Sequence, residues 1–208
     1  MRRPSIVVVD YGVGNSHSVA SAFHALDCRR IKISNLERDI AAADALILPG
    51  VGAFQSCMKS IRKHNLDKIL SEYVLEKNKP ILGICVGMQL MANISEEDGV
   101  HEGLGWIPGR VIKLSPPQDY MVPHVGWNDV RVIKGNTLFS WVDTDPHFYF
   151  DHSYHYQCDQ KFIVADCNYG QLVTASIAYK HIFGVQFHPE KSQSNGLKLF
   201  RAFMDSIN

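Results

Sequence analysis

Residues 5–9 form a continuous run of small and apolar side chains that stops at Asp10, the pattern of a strand buried in a parallel sheet. A loop, Tyr11-Gly12-Val13-Gly14-Asn15, separates it from Val19, Ala22, Phe23 and Leu26, which recur at helical spacing. That spacing predicts a helix with one buried face, capped by Asn15 or Ser16. Ile31 and Ile33 suggest a second short strand, and residues 43–48 a third, running into Pro49-Gly50-Val51-Gly52. Ile69, Leu70, Tyr73 and Val74 stand in helical register within 61–77, and Pro80 closes that helix off. A fourth apolar strand ends at Ile84, and Met88, Leu90 and Met91 suit a helix with one buried side directly after Cys85.

From about Gly103 the texture changes. Residues 111–114, 130–133, 147–156 and 172–179 are short, β-branched or aromatic runs separated by turn residues, as in antiparallel strands. Residues 183–187 form one more strand, and 196–207 a final helix with Leu197, Phe200, Met204 and Ile207 toward one side. The whole predicts an α/β fold, a mostly parallel central sheet with helices on both faces plus antiparallel strands in the C-terminal half. No Ser/Gly-rich linker divides the two textures, so residues 1–208 are read as one domain.

Composition narrows the classes of function. Twenty-one basic residues balance twenty-one acidic ones, which recommends neither nucleic acid nor a membrane as partner. The apolar runs are too short to span a bilayer, and Asp10 interrupts the only stretch resembling a signal peptide. Five cysteines form an odd set without a close pair, which argues against a disulfide framework or a zinc site and for a reducing cytoplasm. The ten histidines are scattered rather than grouped at metal-ligand spacing, so no metal is expected.

Cys85 is the leading chemical candidate. It sits where a strand turns into a helix, between Gly83 and Gly87, the cysteine version of a nucleophile elbow. The free N–H groups of the helix start favour the thiolate there. The bland alternative is a buried, inert thiol. A nucleophile of this kind needs a base and an orienting group, and Phe187-His188-Pro189-Glu190 supplies both within one turn. An oxyanion needs donors: the glycines around Val51 let Val51 and Gly52 aim an N–H at it, and Val86 supplies a second. The same glycines make no phosphate loop, because no Lys-Ser/Thr follows at the required spacing.

Gly83-Ile84-Cys85-Val86-Gly87-Met88-Gln89 and Gly184-Val185-Gln186-Phe187-His188-Pro189-Glu190 resemble the two signatures of class I, triad-type glutamine amidotransferases. Six further stretches are similar to the family of glutaminase subunits of imidazole glycerol phosphate synthase. They are Asp10-Tyr11-Gly12-Val13-Gly14-Asn15, Leu48 through Phe54, Glu102-Gly103-Leu104-Gly105, Pro123-His124-Val125-Gly126-Trp127-Asn128, His152-Ser153-Tyr154 and Glu190-Lys191-Ser192. The resemblance implies a flavodoxin-like amidotransferase fold, a Cys85–His188–Glu190 triad, L-glutamine as substrate and no cofactor. It implies that Gln89, Glu97 and Ser153 line the pocket for the amino-acid end of glutamine. It further implies a heterodimer with a (β/α)8-barrel cyclase, docked near Asn15, Trp127, Asn128 and Lys191.

Two positions depart from the pattern: Asp151 stands where such relatives usually carry valine, and Val125 where methionine is common. They keep open a different partner, such as a synthetase that amidates a surface-polysaccharide sugar. Two other classes compete as well, a regulatory relative without activity and a stand-alone cysteine hydrolase.

Overall fold

The computed structural model describes residues 4–133 and 135–207. Strand β1 (Ile6–Val9) leads through α1 (Ser16–Ala25) to β2 (Ile31–Ser34), then α2 (Glu37–Ala42) and β3 (Ala45–Gly50). Helices α3 (Phe54–Lys63) and α4 (Leu66–Ser71) follow, and a π-type turn at Glu72–Glu76 precedes β4 (Ile81–Cys85) and the one-turn α5 (Val86–Gln89). Next come β5 (Ile94–Ser95), β6 (His101–Glu102), β7 (Gly109–Lys113), β8 (His124–Asp129) and β9 (Arg131–Val132). The chain ends with β10 (His147–His152), β11 (Tyr154–Cys158), β12 (Ile163–Asn168), β13 (Leu172–Tyr179), β14 (Ile182–Val185) and α6 (Gln193–Asp205).

The main sheet has the order β2-β1-β3-β4-β14-β13-β12-β9. Its strands are parallel from β2 to β14 and antiparallel from there to β9. Every residue of β1, β3, β4 and β14 is buried, as continuous apolar strands covered on both faces must be. Strand β2 lies at the edge and is only partly covered, which suits its alternation of Ile31 and Ile33 with Lys32 and Ser34. Phe23 of α1 and Phe200 of α6 pack in a tilted pair at 4.6 Å between centroids and tie the first helix to the last. A four-stranded sheet (β11-β7-β5-β6) and a two-stranded ribbon (β10-β8) complete the fold.

The structure departs from the pattern at several points. The single helix expected over 61–77 is two helices and a turn, because Asn65 takes the left-handed conformation (φ 56°) that asparagine tolerates and restarts the chain. The helix after Cys85 lasts one turn. The carbonyls of Leu90, Met91, Ala92 and Asn93 accept N–H groups from residues 103–107 instead of continuing it, so Met91 is buried outside the helix. The run 147–156 breaks at Ser153 into two strands that join different sheets. Asn15 occupies the N-cap of α1, yet its side chain makes no capping bond. On α6 the fully buried stripe is Leu199, Phe200 and Phe203, while Leu197 is half-buried. Helix α2, all but the end of α3, and strands β5, β6, β8 and β12 lie outside the elements that the pattern predicts.

Candidate active site

Parallel pairing builds the site. The registers Gly50↔Cys85 and Val185↔Ile84 bring the ends of β3, β4 and β14 side by side. Such strand ends are where open α/β sheets bind ligands. Cys85, the last residue of β4, has φ 55° and ψ −114°, a conformation that costs an L-residue roughly 1–3 kcal/mol and persists only where its surroundings hold it. The surroundings here are close-packed backbone. A Cβ on Gly87 would lie 1.8 Å from the Leu48 carbonyl oxygen, and one on Gly83 would lie 2.7 Å from that of Gly87. The elbow therefore presses against β3 with no space for a larger residue at either position.

Cys85 faces a cavity of about 290 Å³ whose lining also includes Val51, Gly52, Val86, Gln89 and His188. His188 follows β14, and its backbone N–H donates to the Tyr149 carbonyl at 2.8 Å while its own carbonyl accepts from Ser192 Oγ at 2.6 Å. Its Nδ1 lies 2.8 Å from Glu190 Oε1, and both side chains are buried. With Nδ1 so occupied, Nε2 is the nitrogen left for Cys85, which lines the same cavity. Burial by itself would push the imidazole down, but the bonds to Cys85 and Glu190 outweigh it and raise His188 to about 10. The ring is thus an imidazolium at neutral pH, with a proton ready to give.

The turn expected to face the oxyanion is braced from behind. The Tyr11 hydroxyl donates to the Pro49 carbonyl at 2.6 Å, and Cys57 Sγ donates to the Val51 carbonyl at 3.4 Å. Burial pushes the Cys57 thiol up to about 11 and raises the Tyr11 phenol well above its ordinary value, so both keep their protons. Gly52 has φ 84°, which favours glycine there. Val86, the first residue of α5, lines the cavity next to the sulfur.

Gln89, Glu97 and Ser153 all reach the cavity wall. Gln89 is already engaged, its Nε2 donating to the Tyr154 carbonyl at 2.8 Å and to Gln186 Oε1 at 3.0 Å. Glu97 Oε2 accepts the Phe54 N–H at 2.6 Å, at the start of α3. The positions expected at a docking face are spread more widely. Trp127 is 47 % exposed on β8, edge-on to Tyr149 of β10 at 6.2 Å. Lys191 lies over the Tyr149 ring at 5.3 Å and 4.0 Å from Asp151 Oδ2, at the cavity rim. Asn128 points to the other side of the ribbon from Trp127, donating to the Asn168 carbonyl at 3.0 Å. Asn15 sits at the start of α1, half-buried.

Two features escaped the sequence reading. Gln186 is completely buried against the sulfur, its Nε2 3.7 Å from Cys85 Sγ. A polar side chain two residues before His188, in an otherwise apolar run, was the available signal, since alternate residues of an extended chain share a face. His152 and His124 form a buried pair, Nε2 to Nδ1 at 3.0 Å, with His152 Nδ1 donating to the Tyr154 carbonyl at 2.9 Å. Burial pushes His124 down to about 4 and His152 to about 3, so both rings are neutral. Among the described residues no group of three or more His, Cys, Asp or Glu is placed to hold a metal ion, and no helix is long and apolar enough to cross a membrane.

A strained cysteine at a strand end, an imidazolium beside it and a buried carboxylate behind that make a site for acyl transfer, and residues 7–206 match the family Glutamine amidotransferase class-I. The chain belongs to the class-I glutamine amidotransferase family. Within it, the chain is similar to the imidazole glycerol phosphate synthase subunit HisH 2 of Vibrio vulnificus, 46 % identical over 202 residues that cover 97 % of this chain and 94 % of the relative. It is also similar to the subunit HisH 1 of Campylobacter jejuni, 43 % identical over 199 residues that cover 96 % of this chain and 98 % of the relative. The solved structure of PurLQS from Thermotoga maritima shares the fold over all of both chains, with a TM-score of 0.73 at 19 % identity.

Proposed function

We propose that this chain is the glutaminase subunit of imidazole glycerol phosphate synthase in histidine biosynthesis. It hydrolyses L-glutamine to glutamate and passes the ammonia to a cyclase subunit, which makes imidazole glycerol phosphate and a carboxamide nucleotide, AICAR. The observation that carries the chemistry is a strained Cys85 at a strand end sharing one cavity with His188, whose ring is hydrogen-bonded to the buried Glu190. The similarity to HisH subunits over nearly the whole chain supports the choice of pathway.

In this reading the Cys85 thiolate attacks the side-chain amide carbon of glutamine. The amide oxygen becomes an oxyanion facing the N–H groups of the Val51–Gly52 turn and of Val86. His188 gives its proton to the departing nitrogen, ammonia leaves, and a glutamyl thioester remains on Cys85. Water then adds to the thioester carbon while the neutral His188 takes its proton. Collapse releases glutamate and restores the thiolate beside the imidazolium. Glu190 holds the ring in one orientation throughout. Gln89 and Glu97 each have an Oε1 for the ammonium end of glutamine, and Ser153 completes that wall.

Ammonia reacts only while unprotonated, so a subunit docked on its acceptor enzyme uses it better than a free one. The proposed partner is a (β/α)8-barrel cyclase in a cytoplasmic heterodimer, meeting the rim that carries Trp127 and Lys191, with Asn15 nearby and Asn128 turned to the other side of the ribbon. Residues 1–208 act as one glutaminase domain without a cofactor.

The deciding experiment measures ammonia release with and without the cyclase and its nucleotide substrate. The wild type is expected to be slow alone and fast in the complex. Cys85→Ala is expected to abolish glutamine hydrolysis while leaving synthesis from added ammonium salt intact. Loss of both activities makes Cys85 structural, and activation only by a different synthetase, such as a sugar-amidating one, overturns the choice of pathway.

A further inference from the structure

The orientation of one buried amide follows from a carbonyl at the far end of a short hydrogen-bonded series. The Tyr154 carbonyl can only accept, so the atom of Gln89 that meets it at 2.8 Å is the amide nitrogen. The second N–H of that nitrogen reaches Gln186 at 3.0 Å, so Gln186 must present its oxygen there. Its own NH2 is thereby turned toward Cys85 Sγ, 3.7 Å away. Register brings the two together, because Val185 pairs with Ile84 and the next residues on each strand are Gln186 and Cys85. Gln186 is fully buried, and a buried amide is costly unless both of its ends are bonded. Here the nucleophile satisfies one end.

We propose that Gln186 is a catalytic residue that donates a hydrogen bond to the Cys85 thiolate, held in that orientation by Gln89 and the Tyr154 carbonyl. His188 is a donor to the sulfur only while it carries its second proton. During the thioester stage the ring is neutral and turns a lone pair toward water, whereas the amide of Gln186 does not titrate and faces the sulfur at every step. It stabilises the thiolate before attack and again as the thiolate is expelled. No bond is made or broken by Gln186 itself. The titratable groups around the sulfur are His188 with Glu190 behind it, His152 and Asp151 from β10, Tyr11, and Cys57 from α3, with Glu97 and Lys191 at the cavity wall. None of them occupies the place of the Gln186 amide.

The proposal deepens the glutaminase reading by naming another group at its nucleophile. Its test needs neither glutamine nor cyclase, so either can fail without the other. The rate of iodoacetamide alkylation at Cys85, read by mass spectrometry of its peptide, is followed against pH on the full chain. Gln186→Met keeps the shape and removes the donor. It is expected to slow alkylation at neutral pH about tenfold and to move the half-maximal pH up by about one unit, the loss of one hydrogen bond to a charged group. Gln89→Met frees the amide to rotate, and a smaller upward move is expected. A merely structural role would change the melting temperature and leave that pH in place. An unmoved half-maximal pH in Gln186→Met overturns the assignment, and Gln89→Met decides by the same criterion if the first variant does not fold.

Discussion

Glu97 Oε2 accepts the backbone N–H of Phe54 at 2.6 Å, so a residue that lines the Cys85 cavity also holds the first turn of α3. In the proposed reading, one carboxylate thereby joins substrate binding to the segment that follows the Pro49-Gly50-Val51-Gly52 turn. The two roles separate by substitution. Glu97→Gln keeps an acceptor for Phe54 and loses only the charge, so the KM for glutamine is expected to rise with little change in melting temperature. Glu97→Ala loses both and should also cost about 1 kcal/mol of stability. Steady-state kinetics in the complex and urea unfolding read the two effects independently, and equal stability of the two variants would remove the capping role.

Glu190 keeps His188 charged, together with Cys85. In Glu190→Gln the Cys85 share of that support stays, the Glu190 share is lost, and the imidazole falls from about 10 partway toward its ordinary value. The alkaline limb of kcat/KM, which reports groups of the free enzyme, is therefore expected to move to lower pH. Loss of orientation should also cut kcat on the order of 100-fold. A pH profile of partner-stimulated hydrolysis checks both, and an alkaline limb that stays in place would assign it to another group.

The Tyr11 hydroxyl is the buried donor to Pro49, directly behind the turn that is to face the oxyanion. Tyr11→Phe leaves that carbonyl unpaired, which is expected to cost about 1–3 kcal/mol in urea unfolding. A loosened turn should lower kcat several-fold and change KM less, because the oxyanion exists only in the transition state. Full activity in a destabilised Tyr11→Phe would confine the hydroxyl to the fold.

The His124–His152 pair gives the protein an acid-sensitive joint between β8 and β10. Both folded-state pKa values, about 4 and about 3, lie below the ordinary 6.5. The stability these rings contribute is therefore complete above pH 6.5 and is lost as pH falls through 4 and 3. In the neutral pair, His124 Nδ1 donates to His152 Nε2 and His152 Nδ1 donates to the Tyr154 carbonyl; charging His152 sets two N–H groups against each other, and charging His124 sets its Nε2–H against the Asn128 amide nitrogen. Urea midpoints are expected to fall between pH 6.5 and 4, with a shallower fall in His124→Asn. Equal slopes in the two proteins would place the acid sensitivity elsewhere.

Local features of the chain were readable without coordinates. Apolar runs marked β1, β3, β4 and β14 because strands buried on both faces carry no polar alternation. The elbow at Cys85 was visible because Gly83 and Gly87 flank it, and Glu190 could be paired with His188 because two residues of a turn meet whatever the rest does. The ends of helices were less legible. The early stop of α5 depends on residues 103–107 engaging the carbonyls of Leu90 to Asn93, just past its end, and those residues lie beyond any local window.

Distance in the chain limits what a linear pattern conveys. That β14 lies against β4, with Val185 beside Ile84, is a choice of neighbour and register made by the packed sheet, and it alone brings Cys85, Gln186 and His188 together. The same holds for Asn128, which alternation turns away from Trp127, and for Glu97, whose bond to Phe54 crosses from one segment to another. Residue type and spacing determined which groups were available for chemistry. Only tertiary pairing decided which of them touch, because side-chain contacts between remote segments depend on strand order, and strand order leaves no periodic trace in the sequence.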